Sequence, residues 1–273
     1  MPADYQKKIE DASTLDELFT LWRGKAPESF EYTYGKRSIQ VNIDHGKNVF
    51  IADGIVNPEV WNSGDKKRIL FIMKEAYGSD WDNRTLASWL RMYHPTLPMW
   101  RRVARWTYGI QHTDANEIAR YKANLTDEQH AESLEQIAIL NLKKSNGDSA
   151  SDYGEIDAYA REDRLEILKE FSLIDPDIVI CGSTFGTMLT TVLQKPPLND
   201  STGNDNWYYF MNVARKERLF IDYYHPANHW SDLMNYYGLM GIYQQALKEK
   251  QPVVRNGRQA TVGYQPNVWK NWE

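Results

Sequence analysis

Residues 68–78 read RILFIMKEAYG, and the way this stretch ends decides how the rest of the chain is read. Its first part, residues 68–73, shows no alternation of apolar and polar side chains, which is the pattern of a strand buried on both faces of a parallel sheet. Two charged side chains, Lys74 and Glu75, follow at once, and the turn closes on Gly78. Three more segments have the same form. IAILNL at 137–142 reads as a second buried strand, IDPDIVICG at 174–182 as a third that exits on glycine, and LFIDYYHP at 219–226 as a fourth.

Helical periodicity fills the spaces between these strands: 89–109, interrupted at Pro95 and Pro98, then 127–137, 154–171 and 229–249. Strands alternating with helices predict a three-layer α/β/α fold around a central, mostly parallel four-stranded sheet with right-handed crossovers. Ahead of it, DASTLDELFTLW at 11–22 has the cap and spacing of an amphipathic helix, and residues 37–51 alternate around a glycine turn as a short hairpin. The expected division is an N-terminal extension over 1–64 that packs on the main domain, the α/β domain over 65–250, and a C-terminal tail over 251–273. In open α/β sheets ligands bind outside the carboxyl ends of the strands. Lys74, Glu75, Asn141, Cys181 and His225 all fall at such ends.

Composition narrows the chemistry. A chain of 273 residues that is 42% hydrophobic can bury one large core or two small ones. A formal net charge of −5 excludes a generally basic surface, so contact with nucleic acid requires a local patch. One cysteine, Cys181, makes no internal disulfide and no cysteine-held zinc or iron-sulfur site, which points to a reducing compartment and a cytoplasmic address. No window approaches the roughly 18 consecutive apolar residues of a membrane span, so no membrane partner is expected. The six histidines show no HExxH spacing, and GSTFG at 182–186 lacks the Gly-Lys-Ser/Thr of a phosphate loop, so neither a metal nor a nucleotide cofactor is expected.

The strand exits carry KEAYG at 74–78, NLKKSNG at 141–147, CGSTFG at 181–186 and HPANHW at 225–230. In this order they resemble the uracil-DNA glycosylase superfamily. There, a Gly-Glu-Ala-Pro-Gly-like loop follows the first strand, an Asn and a Lys follow the second in some branches, and a His-Pro-Ser-like loop follows the last. The similarity spans roughly residues 65–245. Lys74 stands where the family usually has glycine, Tyr77 for proline and Ala227 for serine, and the iron-sulfur cysteines of some branches are missing. The resemblance implies a hydrolase of base excision repair that binds DNA and cleaves the N-glycosidic bond of uracil or another modified base. The alternatives are a member of the same fold that binds a nucleobase or nucleic acid without cutting, and a protein-interaction module on that scaffold.

Hydrolysis of such a bond needs stabilisation of the departing anionic base, a positioned water and support for a cationic sugar. His225 suits the first task as a hydrogen-bond donor to a base carbonyl, and Glu75 the other two. Asn141 offers a donor and an acceptor side by side for a pyrimidine edge. Tyr77 or Trp81 suits stacking on an extruded base. Lys74, Gly78, Lys144 and Asn228 complete the expected substrate contacts. Bland readings accompany the remaining polar residues: Arg101, Arg102 and Arg105 as a solvated helix face, His229 as structural, and Cys181 as a small buried residue.

Overall fold

The computed structural model describes residues 3–77, 85–147, 150–196 and 207–250, with the strand backbones Val253–Arg255 and Arg258–Ala260. The helix expected over 11–22 appears as α2 (Leu15–Arg23), and a further helix, α1 (Ala3–Asp11), precedes it. The break is set by Thr14, whose hydroxyl accepts the Glu17 N–H at 3.2 Å while the Glu17 carboxylate accepts the Thr14 N–H at 3.3 Å, a reciprocal cap that starts α2. The hairpin pairs β1 (Glu28–Tyr34) with β2 (Arg37–Ile43) around Gly35, at φ 61°. It lies upstream of the expected 37–51 because Asp44 Oδ1 accepts the N–H groups of Gly46 and Lys47 and turns the chain there. A two-residue strand, β3 (Gly54–Ile55), and a short helix, α3 (Pro58–Asn62), lead into the main sheet.

The expected strands appear as β4 (Ile69–Glu75), β5 (Ile137–Lys143), β6 (Ile178–Gly182) and β8 (Lys216–Tyr223), all mutually parallel where they pair. The sheet has six strands rather than four, in the order β3-β5-β4-β6-β8-β7. The two additions are antiparallel edges: β3 beside β5, and β7 (Tyr208–Val213) beside β8. The β7–β8 turn uses Ala214 and Arg215, both at positive φ, so no glycine announced it. The third strand starts at Ile178 rather than at 174, because the preceding helix runs through Ile174 and ends on Asp175 in the left-handed conformation.

Helices cover both faces. On one side lie α4 (Leu86–Tyr93), α5 (Pro98–His112), α6 (Asp127–Glu135) and, after β8, α10 (Asp232–Lys250). They enclose a core with Phe71, Ile139, Ile180 and Ile221. The other side holds α7 (Tyr153–Glu162), α8 (Arg164–Ile174) and α9 (Phe185–Thr187), which runs on as a π-helical turn, Met188–Val192. Its core contains Leu70, Leu140, Val179 and Phe220, together with Phe19 and Trp22 of α2. Alternate residues of each strand thus feed opposite cores, which is why the strands read as unbroken apolar runs. Among the described residues, no helix is long and apolar enough to cross a membrane.

The N-terminal segment is fastened by charge as well as by Phe19 and Trp22. Lys25 Nζ donates to Asp163 Oδ1 at 2.8 Å and to the Glu162 carbonyl at 2.6 Å, His45 Nε2 lies 2.9 Å from Asp163 Oδ2, and the Asp163 side chain is fully buried. Burial works to raise the Asp163 carboxyl, but hydrogen bonding and charge from His45 and Lys25 outweigh it and hold it below the usual carboxylate range. A depressed carboxyl stabilises the fold above its unfolded pKa, and that contribution is lost as pH falls through the folded value. Replacing Asp163 by Asn should lower unfolding free energy by about 3 to 5 kcal/mol at neutral pH, measured by urea titration. The deficit should shrink as wild type and variant are compared below about pH 4, where the unfolded aspartate is itself protonated.

Candidate active site

A cleft of about 940 Å³ opens at the carboxyl ends of the parallel strands. Its sheet side presents Lys74 and Glu75 at the end of β4, Asn141 on β5, Ser183 after β6 and His225 after β8. Trp89 of α4 and Trp100 of α5 form part of the facing wall, and Tyr153 stands at the start of α7. The volume falls in the range of small-molecule pockets, and a mostly apolar wall with a few convergent polar groups is the usual form of such a site.

His225 sits in a loop fastened from several sides. Its N–H donates to Ser183 Oγ at 3.0 Å, and Ser183 adopts the left-handed conformation at φ 57° while donating its own N–H to the Tyr223 carbonyl at 2.7 Å. Arg102 of α5 donates to the carbonyls of Pro226 at 2.8 Å and Asn228 at 2.6 Å, and its guanidinium pairs with Asp232. Asn228 Nδ2 donates to the His225 carbonyl at 2.7 Å. The imidazole accepts the Ala227 N–H at Nδ1, 3.1 Å away, so the neutral ring carries its proton on Nε2. Burial, with the charge of Lys74 adding to it, holds the His225 pKa down to about 4. The ring is therefore a neutral donor at physiological pH.

Glu75 is paired rather than free. Its carboxylate accepts from Lys143 Nζ at 2.9 Å, with the two side chains only 5% and 6% exposed, and Lys143 also reaches Glu155 at 3.1 Å. Desolvation works against the Lys143 ammonium, but the hydrogen bond and charge of Glu75 prevail and raise its pKa. The loop after β5 closes tightly over this pair. Gly147 donates its N–H to the Ala76 carbonyl at 2.8 Å, and a Cβ on Gly147 would fall 2.3 Å from Glu75 Cδ. Only glycine fits that approach.

Asn141 is 2% exposed and meets Asp53, the residue just before β3. Asp53 Oδ2 accepts both the Asn141 backbone N–H at 2.6 Å and Asn141 Nδ2 at 3.0 Å. Lys74 lies against the Tyr153 ring, its Nζ 4.4 Å from the centroid.

Six of the residues singled out from the sequence line this one cleft: Lys74, Glu75, Tyr77, Asn141, His225 and Asn228. Tyr77 is 70% exposed at the rim. Lys144 corrects the expectation of a substrate contact. It does not line the cleft, and its fully buried ammonium is held between Asp53 at 2.5 Å and Glu170 at 2.7 Å. Gly78 and Trp81 lie outside the described residues. Arg102 and Arg105 are likewise no solvated face, since both pair with Asp232. Cys181 is buried, and burial, with Asp222 adding, pushes its thiol well up. Ser183 and Asp53 are the participants that the strand exits left without a role, and of the two lysines that could match the family's Asn-and-Lys motif it is Lys143 that pairs with Glu75. Ser183 stood inside the quoted CGSTFG motif and Lys143 inside NLKKSNG, whereas Asp53 had no local signal. Among the described residues no group of His, Cys, Asp and Glu is arranged to hold a metal ion.

No protein-family model matches this chain, and no curated protein is significantly similar to it. The chemistry therefore rests on the site. A neutral N–H donor, a carboxylate and an oriented amide facing one partly apolar cleft can bind a planar polar heterocycle and stabilise negative charge on it.

The imidazole of His225 should titrate near pH 4 in histidine-selective NMR, leaving the ring neutral from about pH 5 upward. Lys74→Met should raise that midpoint, by less than the full return to the ordinary value near 6.5, because burial is the larger cause.

Proposed function

We propose that the protein is a hydrolase that cleaves the N-glycosidic bond of uracil or another modified base in DNA. The observation that carries this reading is that His225, Asn141 and Glu75 line one cleft at the ends of β8, β5 and β4, with His225 Nδ1 taken by the Ala227 N–H so that its Nε2–H is the donor left for a ligand. An extruded base would enter between the aromatic walls, where stacking on a ring such as Tyr153 or Tyr77 contributes about 1 to 3 kcal/mol.

In the reaction the bond between the sugar C1′ and the base nitrogen breaks, and the pair of electrons leaves with the base. His225 donates a hydrogen bond to a base carbonyl as that charge develops, and the neutral ring does so without surrendering its proton. The Lys74 ammonium lies beside His225 and adds favourable potential for an anionic base. Glu75 stands as the anionic partner of the cationic sugar and as an acceptor that orients the incoming water. The water oxygen completes the new bond to C1′ and sheds a proton through Glu75, and a proton from solvent neutralises the departed base, so the products are an abasic sugar and the free base.

A second reading, binding of a nucleobase without cleavage, is favoured by the Glu75–Lys143 pair, because the Lys143 ammonium already occupies Glu75 Oε2, an oxygen that would otherwise be open to the incoming water.

Single-turnover cleavage of labelled oligonucleotides carrying uracil, hypoxanthine, xanthine or mismatched thymine separates the two. Cleavage of at least one substrate is expected, reduced about 10²- to 10³-fold by His225→Ala and about 10²- to 10⁴-fold by Glu75→Gln. A folded wild type that binds these oligonucleotides and cuts none would replace the hydrolase reading with the binding one.

A further inference from the structure

Asp53 lies outside residues 65–245, the span that carries the motif resemblance, yet its buried carboxylate holds Asn141, which lines the cleft. Both Asn141 donors, the backbone N–H at 2.6 Å and Nδ2 at 3.0 Å, converge on its Oδ2. An ionised carboxylate oxygen only accepts, so the side-chain atom facing it is the amide nitrogen. What remains of the Asn141 side chain for a ligand is Oδ1 and the second Nδ2–H.

Asp53 is in turn held on its far side. Its Oδ1 accepts from Lys144 Nζ at 2.5 Å, and Lys144 also reaches both oxygens of Glu170, Oε1 at 3.0 Å and Oε2 at 2.7 Å. All three side chains are 0% exposed. Two carboxyl groups around one ammonium leave an excess of negative charge where no water reaches. Burial pushes Glu170 well above the usual carboxylate range, with Asp53 adding and Lys144 opposing, while the donors around Asp53 are the Asn141 N–H groups on Oδ2 and the Lys144 ammonium on Oδ1. The Asp53 oxygens are left to accept.

We infer that Asp53 is the positioning residue that sets which base edge the cleft accepts, an inference that rests on the cleft taking a nucleobase. With the Asn141 amide locked, Oδ1 seeks a ring N–H and the second Nδ2–H seeks a carbonyl. That pattern matches the imide edge of uracil. Cytosine presents the reverse, a ring-nitrogen acceptor beside an amino donor, and would place acceptor against acceptor and donor against donor. Sites built around such hydrogen bonds discriminate strongly because a wrong edge leaves buried groups unpaired.

The test measures dissociation constants of free uracil and free cytosine by NMR titration of wild type, Asp53→Ala and the double variant Asp53→Asn with Lys144→Met. Wild type should prefer uracil. Asp53→Ala frees the amide to turn and should compress the uracil-over-cytosine ratio at least about tenfold. Asp53→Asn, made together with Lys144→Met because its Nδ2 would otherwise meet the Lys144 ammonium at the former Oδ1 position, should restore most of that ratio, since the Asn141 backbone N–H still requires a carbonyl oxygen at the former Oδ2 position. An unchanged ratio in folded Asp53→Ala overturns this inference and leaves the base-binding reading standing. A wild type that binds neither base overturns both. Should Asp53→Ala fail to fold, the wild-type Asn141 side-chain amide decides: one of its two protons should exchange at least about tenfold more slowly than those of exposed amides. Fast exchange of both protons rejects the lock.

Discussion

The register between β4 and β5 is the constraint on which the site depends. The parallel pairing that sets Ile69 beside Ile137 also sets Met73 beside Asn141 and Glu75 beside Lys143. Because side chains alternate with a period of two, Met73 and Ile139 in the core under α4 and α5 carry Glu75, Asn141 and Lys143 to the same face. A slip of one residue would turn Asn141 and Lys143 to the other face and drive Leu140 and Leu142 out of their own core. The apolar residues thus enforce a register whose polar consequence appears only at the strand ends.

The same alternation explains why two adjacent lysines have unrelated environments. Lys143 belongs to the cleft side and neutralises Glu75, while Lys144 turns into the protein and joins Asp53 and Glu170. Asp53 sits at the edge of the sheet next to β5 and touches both environments, with one oxygen on Lys144 and the other on Asn141. A buried ion pair adds little net stability over apolar packing, and its value here is directional. It holds the Asp53 carboxylate against the Asn141 amide.

Much of the main domain was legible in the chain because strands buried on both faces leave an unmistakable apolar run and a sudden polar exit. The four parallel strands and the sites of Glu75, Asn141 and His225 follow from that pattern. The antiparallel edges were not legible. β3 is only two residues long, and the β7–β8 turn is built on Ala214 and Arg215 rather than on glycine or asparagine. Boundaries near 174 and 11–22 shifted because capping decided them, at Asp175 and Thr14. The partners of the cleft residues were hidden for a different reason. Arg102, Asp53 and Ser183 act through contacts between elements distant in sequence, and neither their type nor their local spacing distinguishes them from ordinary surface or turn residues.

Ser183 shows how such a contact is maintained. A residue other than glycine in the left-handed region stores about 1 to 2 kcal/mol of steric cost, and glycine at that position would relieve it. The serine hydroxyl, however, is what receives the His225 N–H. Backbone comfort and loop order therefore pull in opposite directions at one position. A variant chosen for thermal robustness would drift toward glycine there and loosen the imidazole, so improvement of this scaffold by stability alone runs against the geometry of its own cleft.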